Sequence, residues 1–231
     1  MSALLLRLAG PLQAWGSGSR FAHRHTEPAP TKSGVIGLLA AARGIRRTEP
    51  LTELLGLTFG VRIDQPGQLI RDFQVARTLD DKTSMPLTYR YYLSDAAFLA
   101  AVSGDDTLLE GLHDALMRPH FPLYLGRRSC PPDRPVSLGV HPGTLTDLLA
   151  QWPWQASKRH QTRAARTVRL EILRDAEDGE PITETIRDEP ITFDPTHRQH
   201  GWRSVIRAHT DLPNPGGRTT SDHDPMALLG G

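Results

Sequence analysis

The stretch "PTKSGVIGLLAAARGI", residues 30–45, carries the clearest helix of the chain. Within 33–43, Val35, Ile36, Leu38, Leu39 and Ala42 recur at helical spacing and make one apolar face. Thr31 or Ser33 suits the N-cap, and Gly44 suits the C-terminal stop. A helix with a single apolar face must bury it against another layer, so its flanks decide the fold.

Upstream, "ALLLRL" (3–8) is a short apolar run ended by Gly10-Pro11 and reads as a buried first strand. Downstream, "LTFGVRI" (57–63) reads as a second strand. Residues 69–78 and 87–93 read as two extended arms around the polar tip "LDDKTSMP", a long hairpin. "AFLAAV" (97–102) is a further strand. Residues 107–117 form a second helix with Leu108, Leu109, Leu112, Ala115 and Leu116 inward, and 121–125 closes the series as a last strand. Without the hairpin the order is strand, helix, strand, strand, helix, strand. That is the split βαβ pattern of an α+β, ferredoxin-like domain, the scaffold of many RNA-binding modules.

The texture changes after Pro135. Residues 145–152 suit a short helix, "SKRHQTRAARTVR" (157–169) is basic and weakly structured, and 168–174 and 191–193 read as strands. We therefore expect a ferredoxin-like RNA-binding domain over 1–133 with its hairpin thumb at about 74–92. A small β-rich C-terminal domain over 134–210 and a flexible tail over 211–231 would follow.

The 231 residues hold 27 Lys and Arg against 26 Asp and Glu, a net charge of +1. A globally basic nucleic-acid binder is excluded, so any anion site must come from local clustering. The lysines are Lys32, Lys82 and Lys158, and every other basic residue of the Lys/Arg set is arginine. Arginine suits bidentate recognition of phosphates and base edges, although genome composition gives the same bias. The single cysteine, Cys130, supports neither a disulfide framework nor a cysteine zinc site. That, with no signal-peptide or membrane-span pattern, predicts a cytoplasmic protein with no membrane association.

Catalytic motifs are weak. "TKSG" (31–34) lacks the phosphate-loop glycines, since Thr31 and Thr26 stand where that pattern needs them. Lys32 beside the amides of a helix N-terminus suits one phosphate, and an ordinary capped core helix suits the same residues. His23-Arg24-His25 and His197-Arg198-Gln199-His200 pair imidazoles, but no nearby carboxylate completes a recognisable metal pattern. No cofactor or metal is predicted. Trp15, Phe21, Tyr89, Tyr91 and Tyr92 interleave with Arg20, Arg24, Arg77 and Arg90, a composition suited to stacking on unpaired bases beside phosphate contacts. Packing of Tyr89 and Tyr91 inward, with Tyr92 exposed, is the structural alternative.

Three stretches, "LLLRLAGPLQAWG" (4–16), "PTKSGVIGLLAAARGI" (30–45) and "YLGRRSCPP" (124–132), occur in an order that resembles the Cas-five family of CRISPR-associated proteins, RAMP proteins, in its type I-E Cascade branch. "YYLSDAAFLAAV" (91–102) adds to the likeness, which is loose beyond about residue 135. The resemblance implies a non-catalytic subunit of an antiviral RNA-guided complex that holds the five-prime handle of the CRISPR RNA. Its thumb would contact the backbone subunit CasC, the large subunit CasA would dock nearby, and target DNA would be met through the complex. On motif positions it implies RNA contacts from Gln13, Trp15, Gly16, Arg20, Lys32, Ser33, Arg77, Arg90, Gly126, Arg127 and Arg128. In that reading Gly126 permits close backbone approach and Pro131-Pro132 stiffen the exit. A metal-independent endoribonuclease using His23, His25, Lys32 or Tyr89 is the rival, and a generic single-strand binder the third reading. The basic segment 158–169 is open between nucleic-acid contact and solvated linker.

Overall fold

A computed structural model describes residues 1–16 and 23–218. The chain opens with β1 (Ser2–Ala9), β2 (Leu12–Gln13) and β3 (His23–Arg24), then helices α1 (Lys32–Arg43) and α2 (Thr52–Leu55). Strands β4 (Thr58–Gln65), β5 (Gln68–Gln74), β6 (Thr88–Ser94) and β7 (Ala97–Ser103) precede α3 (Asp106–Met117). Next come β8 (Ser137–Pro142), α4 (Leu145–Gln151) and α5 (Lys158–Arg163). The last strands are β9 (Thr167–Asp175), β10 (Glu184–Thr192) and β11 (Gln199–Pro213).

The main sheet has the order β10-β11-β9-β4-β7-β1-β8 with antiparallel pairs throughout. Its segment β4-β7-β1-β8, with α1 and α3, is the ferredoxin-like arrangement expected from the sequence, and the class is α+β. The apolar runs lack alternation because both faces are covered. Leu4, Leu6 and Leu8 of β1 and Phe98, Ala100 and Val102 of β7 join α1 and α3 in the larger core. Leu5, Leu99 and Ala101 face the other way and pack on Leu145 and Leu149 of α4.

The helix of the opening stretch is as read. Thr31 caps it by accepting from the Gly34 N–H, Gly44 ends it in the left-handed region, and Val35, Ile36 and Leu39 are fully buried.

Three expectations need correction. Residues 121–125 are not a strand; the edge position beside β1 is taken by β8, so "FPLYL" instead leads into a loop packed across the end of the sheet. The expected boundary at 133/134 does not divide the sheet, because β8 pairs β1 and β9 pairs β4 across it. The start of the expected tail is held: 211–213 complete β11, Leu212 and Asn214 are buried, and the Asn214 amide donates to the Gln161 and Ala165 carbonyls. The remainder, 219–231, lies outside the described residues. The 15-residue β11 had no sequence-based counterpart, because its buried positions are Arg203, Val205 and Leu212, too few and too scattered to make an apolar run.

The hairpin is β5 and β6, extended by an Arg77–Ser84 bridge. Its outer edge is closed by β2 and β3, the latter parallel to β6. The hairpin is more apolar on its surface than its polar tip suggested: Leu69 and Phe73 on β5, and Val75, Leu79 and Met85 beyond it, are exposed.

One ion pair is wholly enclosed. The Arg62 guanidinium donates to both Asp64 oxygens at 2.6 and 2.9 Å and to the carbonyls of Leu149, Trp152 and Pro153. It thereby ties β4 to the chain leaving α4. Burial pushes the Asp64 carboxyl above its ordinary range, opposed by Arg62. Among the described residues no helix is long and apolar enough to cross a membrane.

Leu39→Ala is expected to lower the unfolding free energy by about 2–5 kcal/mol in urea, the range for a fully buried leucine. A loss below about 1 kcal/mol would show that α1 does not pack as described.

Candidate nucleic-acid interface

"YLGRRSCPP" folds as a tight loop rather than a strand end. The Leu125 N–H donates to the Cys130 carbonyl at 2.7 Å and the Cys130 N–H to the Arg127 carbonyl at 2.9 Å. Cys130 is buried, and burial pushes its thiol up, so it anchors the loop as a small apolar residue. The Ala14 N–H donates to the Leu125 carbonyl, which clips this loop to the chain leaving β2. Gly126 has φ +85°, and a Cβ there would sit 1.7 Å from the Ala14 carbonyl oxygen. Only glycine satisfies both the left-handed backbone and the close approach.

The two adjacent arginines have different partners. The half-buried Arg127 donates to the carbonyls of Tyr91 (3.0 Å), Arg24 (2.7 Å) and His25 (3.2 Å), and its guanidinium lies 4.8 Å from the Tyr92 ring centre. It fastens the segment after β3 to β6. All its acceptors are neutral, so its positive charge remains. Arg128 is exposed, with no side-chain hydrogen bond or ion pair among the described residues.

Above this loop lies a cleft of about 1140 Å³. One wall is built from Ala14 to Gly16, Arg24, His25, Gly126 and Arg127; the floor includes Thr31 and Gly34 at the start of α1. The opposite wall comes from β10 and the turn into β11, with Arg187, His197, Arg198 and His200. Among the described residues no Asp or Glu lines it. The Arg187 Nε donates to the His200 carbonyl, and the Arg198 guanidinium lies 5.6 Å from the Phe193 ring centre. Four arginines and three histidines in one concavity, with no lining carboxylate, focus a positive potential that net charge conceals.

The far wall is held by charge. The Lys32 Nζ pairs with Asp175 at 3.0 Å and Glu189 at 2.8 Å, and its backbone N–H donates to Asp188. Arg203 donates to both oxygens of Asp188 and to Asp175. Asp188 is 1% exposed. This network joins the first turn of α1 to β9, β10 and β11.

Several expected contacts are therefore structural. Gln13 is fully buried: its amide donates to the Leu8 and Ala96 carbonyls, and its oxygen accepts from the Trp15 indole. Trp15 is 1% exposed and packs beside Gly34, so its ring cannot stack on a base. Lys32 is neutralised by two carboxylates, and Ser33 is buried beside Thr31. Gly16 is exposed at the cleft. Arg77 sits at the thumb tip paired with Asp81, away from the cleft. Arg90 is half-buried on β6, with an Nε that has no hydrogen-bond partner among the described residues. Arg20 and Phe21 lie outside the described residues.

The tyrosines are reversed from the packing alternative. Tyr92 is buried, whereas Tyr89 and Tyr91 are partly exposed and stack on His23 (5.1 Å) and His25 (4.9 Å). Arg71 lies 5.2 Å from the Tyr89 ring centre. Sequence reading did not assign Arg187 or the 197–200 turn to the site. The "HRQH" cluster was the available signal, but its approach to Gly126 exists only in the folded chain.

A family model described as CRISPR-associated protein (Cas_Cas5) matches residues 3–206. The CRISPR system Cascade subunit CasD of Escherichia coli (strain K12) is 37% identical over 159 residues, 60% of this chain and 71% of that protein. A chain of a CRISPR RNA-guided surveillance complex superposes with a TM-score of 0.77 at 30% identity, covering 98% of each chain. A crystal structure of a Cas protein gives 0.71 at 38% identity, over 93% of this chain and 97% of the other.

Gly126→Ala is expected to destabilise the protein by well over about 1 kcal/mol in denaturant unfolding, since backbone strain and the Ala14 clash add. Gly179→Ala is the control: its φ is +86° but no atom lies within 4 Å of the added Cβ, so only the strain remains, about 1 kcal/mol. Equal losses at the two positions would refute the close approach.

Proposed function

The chain belongs to the Cas5 family of CRISPR-associated proteins, and from that membership we propose that it is a non-catalytic subunit of a Cascade-type complex that grips the five-prime handle of the CRISPR RNA in its basic cleft. The observation that carries this reading is the cleft's composition: Arg24, Arg127, Arg187 and Arg198 with His25, His197 and His200, and no lining carboxylate among the described residues. Its volume admits a bent strand of a few nucleotides. Arg127 supplies fixed charge and shape, while the exposed Arg128 next to it and Arg187 on the far wall contact phosphates. Both walls are set by internal hydrogen bonds and ion pairs before RNA arrives, which lowers the ordering cost of binding.

The same reading assigns the thumb to the neighbouring backbone subunit of the complex, the role CasC fills in Cascade, with the large subunit CasA docked near the handle and target DNA met through the assembly. The exposed Leu69, Phe73, Val75, Leu79 and Met85 on a hairpin that stands clear of the core suit a protein partner. A cytoplasmic location accords with this assembly role. Cleavage of the RNA is left to another component, so repeat RNA incubated with the isolated chain in EDTA should stay intact.

Two results are expected. In anisotropy titrations with handle RNA, Arg128→Ala and Arg187→Ala should each flatten the log–log salt dependence by about 0.7, the value for one phosphate neutralised on a single strand. Binding should weaken more for the handle than for a scrambled strand. A folded double variant with unchanged affinity, slope and preference would refute the cleft as the handle site.

Replacing residues 76–85 by a short Gly-Ser turn should leave the melting temperature of the isolated chain nearly unchanged, because the tip buries little. Incorporation beside the co-expressed backbone subunit and guide should drop. Normal incorporation would remove the thumb from the assembly interface.

A further inference from the structure

Five cations fall within residues 158–169, outside the cleft lining: Lys158, Arg159 and Arg163 of α5, Arg166 in the connection, and Arg169 on β9. All five are exposed, and none has a side-chain hydrogen bond or ion pair among the described residues. This contrasts with the rest of the C-terminal strands. There, Arg207 pairs with Glu171 and Glu184, Arg174 with Glu180, and Arg203 with Asp188 and Asp175. Asp211 is the cross-strand neighbour of Arg169 and still forms no ion pair with it.

The arrangement is unfavourable for the chain by itself. α5 has no acidic residue in its first turn and begins instead with Lys158 and Arg159, at the positive end of its peptide dipoles. Arg159 and Arg163 are four residues apart on one helical face, a like-charge spacing that opposes the helix. Arg163 in the last turn suits the dipole, but the cations of the first turn do not, and such local conflicts are expected at functional sites.

The segment is also fixed. Ser157 caps α5, and its N–H and hydroxyl both donate to the buried Gln65. Asn214 holds the Gln161 and Ala165 carbonyls. Beneath Arg169, Val168, Leu170 and Leu212 form a small buried cluster with Trp154 and Ala164 packed on it. The two nearby aromatics, Trp154 and His160, are partly buried and engage each other edge to face, with ring centres 5.7 Å apart, so the exposed side chains here are cations rather than rings. Unpaired strands are held by stacking together with phosphate contacts, whereas a duplex offers its backbone first.

We propose that Lys158, Arg159, Arg163, Arg166 and Arg169 form a second nucleic-acid surface, separate from the cleft, that grips the phosphate backbone of a duplex. It shares no residue with the cleft lining and goes beyond the handle-binding reading.

The test is anisotropy on the full chain with a labelled DNA duplex of arbitrary sequence, an RNA duplex and unpaired handle RNA, each over a range of salt. The wild-type chain should bind duplex in the non-specific range, about 10⁻⁴–10⁻⁶ M near physiological salt. The Lys158→Ala/Arg159→Ala/Arg163→Ala variant should flatten the DNA salt slope by about 0.9 for each phosphate that is no longer neutralised. Adding Arg166→Ala and Arg169→Ala should flatten it further. Stronger binding of DNA assigns the surface to target duplex, and stronger binding of RNA duplex to a guide-derived stem; both support the proposal. Melting curves verify that the variants fold. A folded fivefold variant with wild-type duplex affinity and slope overturns the proposal. So does a flattening that occurs only on unpaired RNA, or one reproduced by Arg128→Ala alone. The duplex carries no handle, so failure here leaves the cleft reading standing, and failure of the cleft reading leaves this measurement intact.

Discussion

A buried carboxylate, Asp188, holds the two halves of the molecule in register. It accepts from the Lys32 backbone N–H and takes both arms of the Arg203 guanidinium. Asp175 does similar work on β9, two strands away across β11, accepting from the Lys32 ammonium, the Phe59 N–H and Arg203. Ionised groups at this depth are tolerable only when each is matched, and removing one member would strand the others. The cleft depends on this network because its floor begins at α1 and its far wall is β10 and the turn into β11. A shift between those elements would open or close the site.

The opposite wall rests on a different principle. Arg127 binds three neutral carbonyls, so it orders the backbone after β3 without losing its charge. A carboxylate partner would have cancelled that charge. Arg128, next in sequence, is directed to solvent. Adjacent residues in this loop thus divide the labour: one guanidinium builds the wall and the other is available to a ligand.

Charge is distributed by the fold rather than by composition. A chain with a net charge of +1 presents a basic concavity with no lining Asp or Glu among the described residues, while Asp175, Asp188 and Glu189 engage Lys32 and Arg203, and Glu171 and Glu184 pair with Arg207. Membership of the Cas5 family gives this asymmetry a meaning, since a subunit in an RNA-guided complex needs local anion sites and neutral or apolar faces for its neighbours.

The sequence by itself determined the ferredoxin-like framework, because its helices and hairpin are encoded locally. The periodicity of 33–43, the Thr31 and Gly44 caps and the unbroken runs of β1 and β7 each follow from short-range chemistry. It also marked Gly126 and the arginine pair as special. It misread 121–125 as the edge strand, because a short apolar run has the same pattern whether it pairs with a strand or packs as a loop. It read Gln13, Trp15, Lys32 and Ser33 as RNA contacts, whereas the folded chain buries all four, because a polar or aromatic residue beside a loop looks the same before its partners are known. The decisive partners of Gln13 and Lys32, namely Ala96, Asp175 and Glu189, lie far along the chain. Only the tertiary structure brought residues 187–200 across to face Gly126. Which cations are neutralised and which remain open depends on contacts between distant segments, and local sequence carries no record of them.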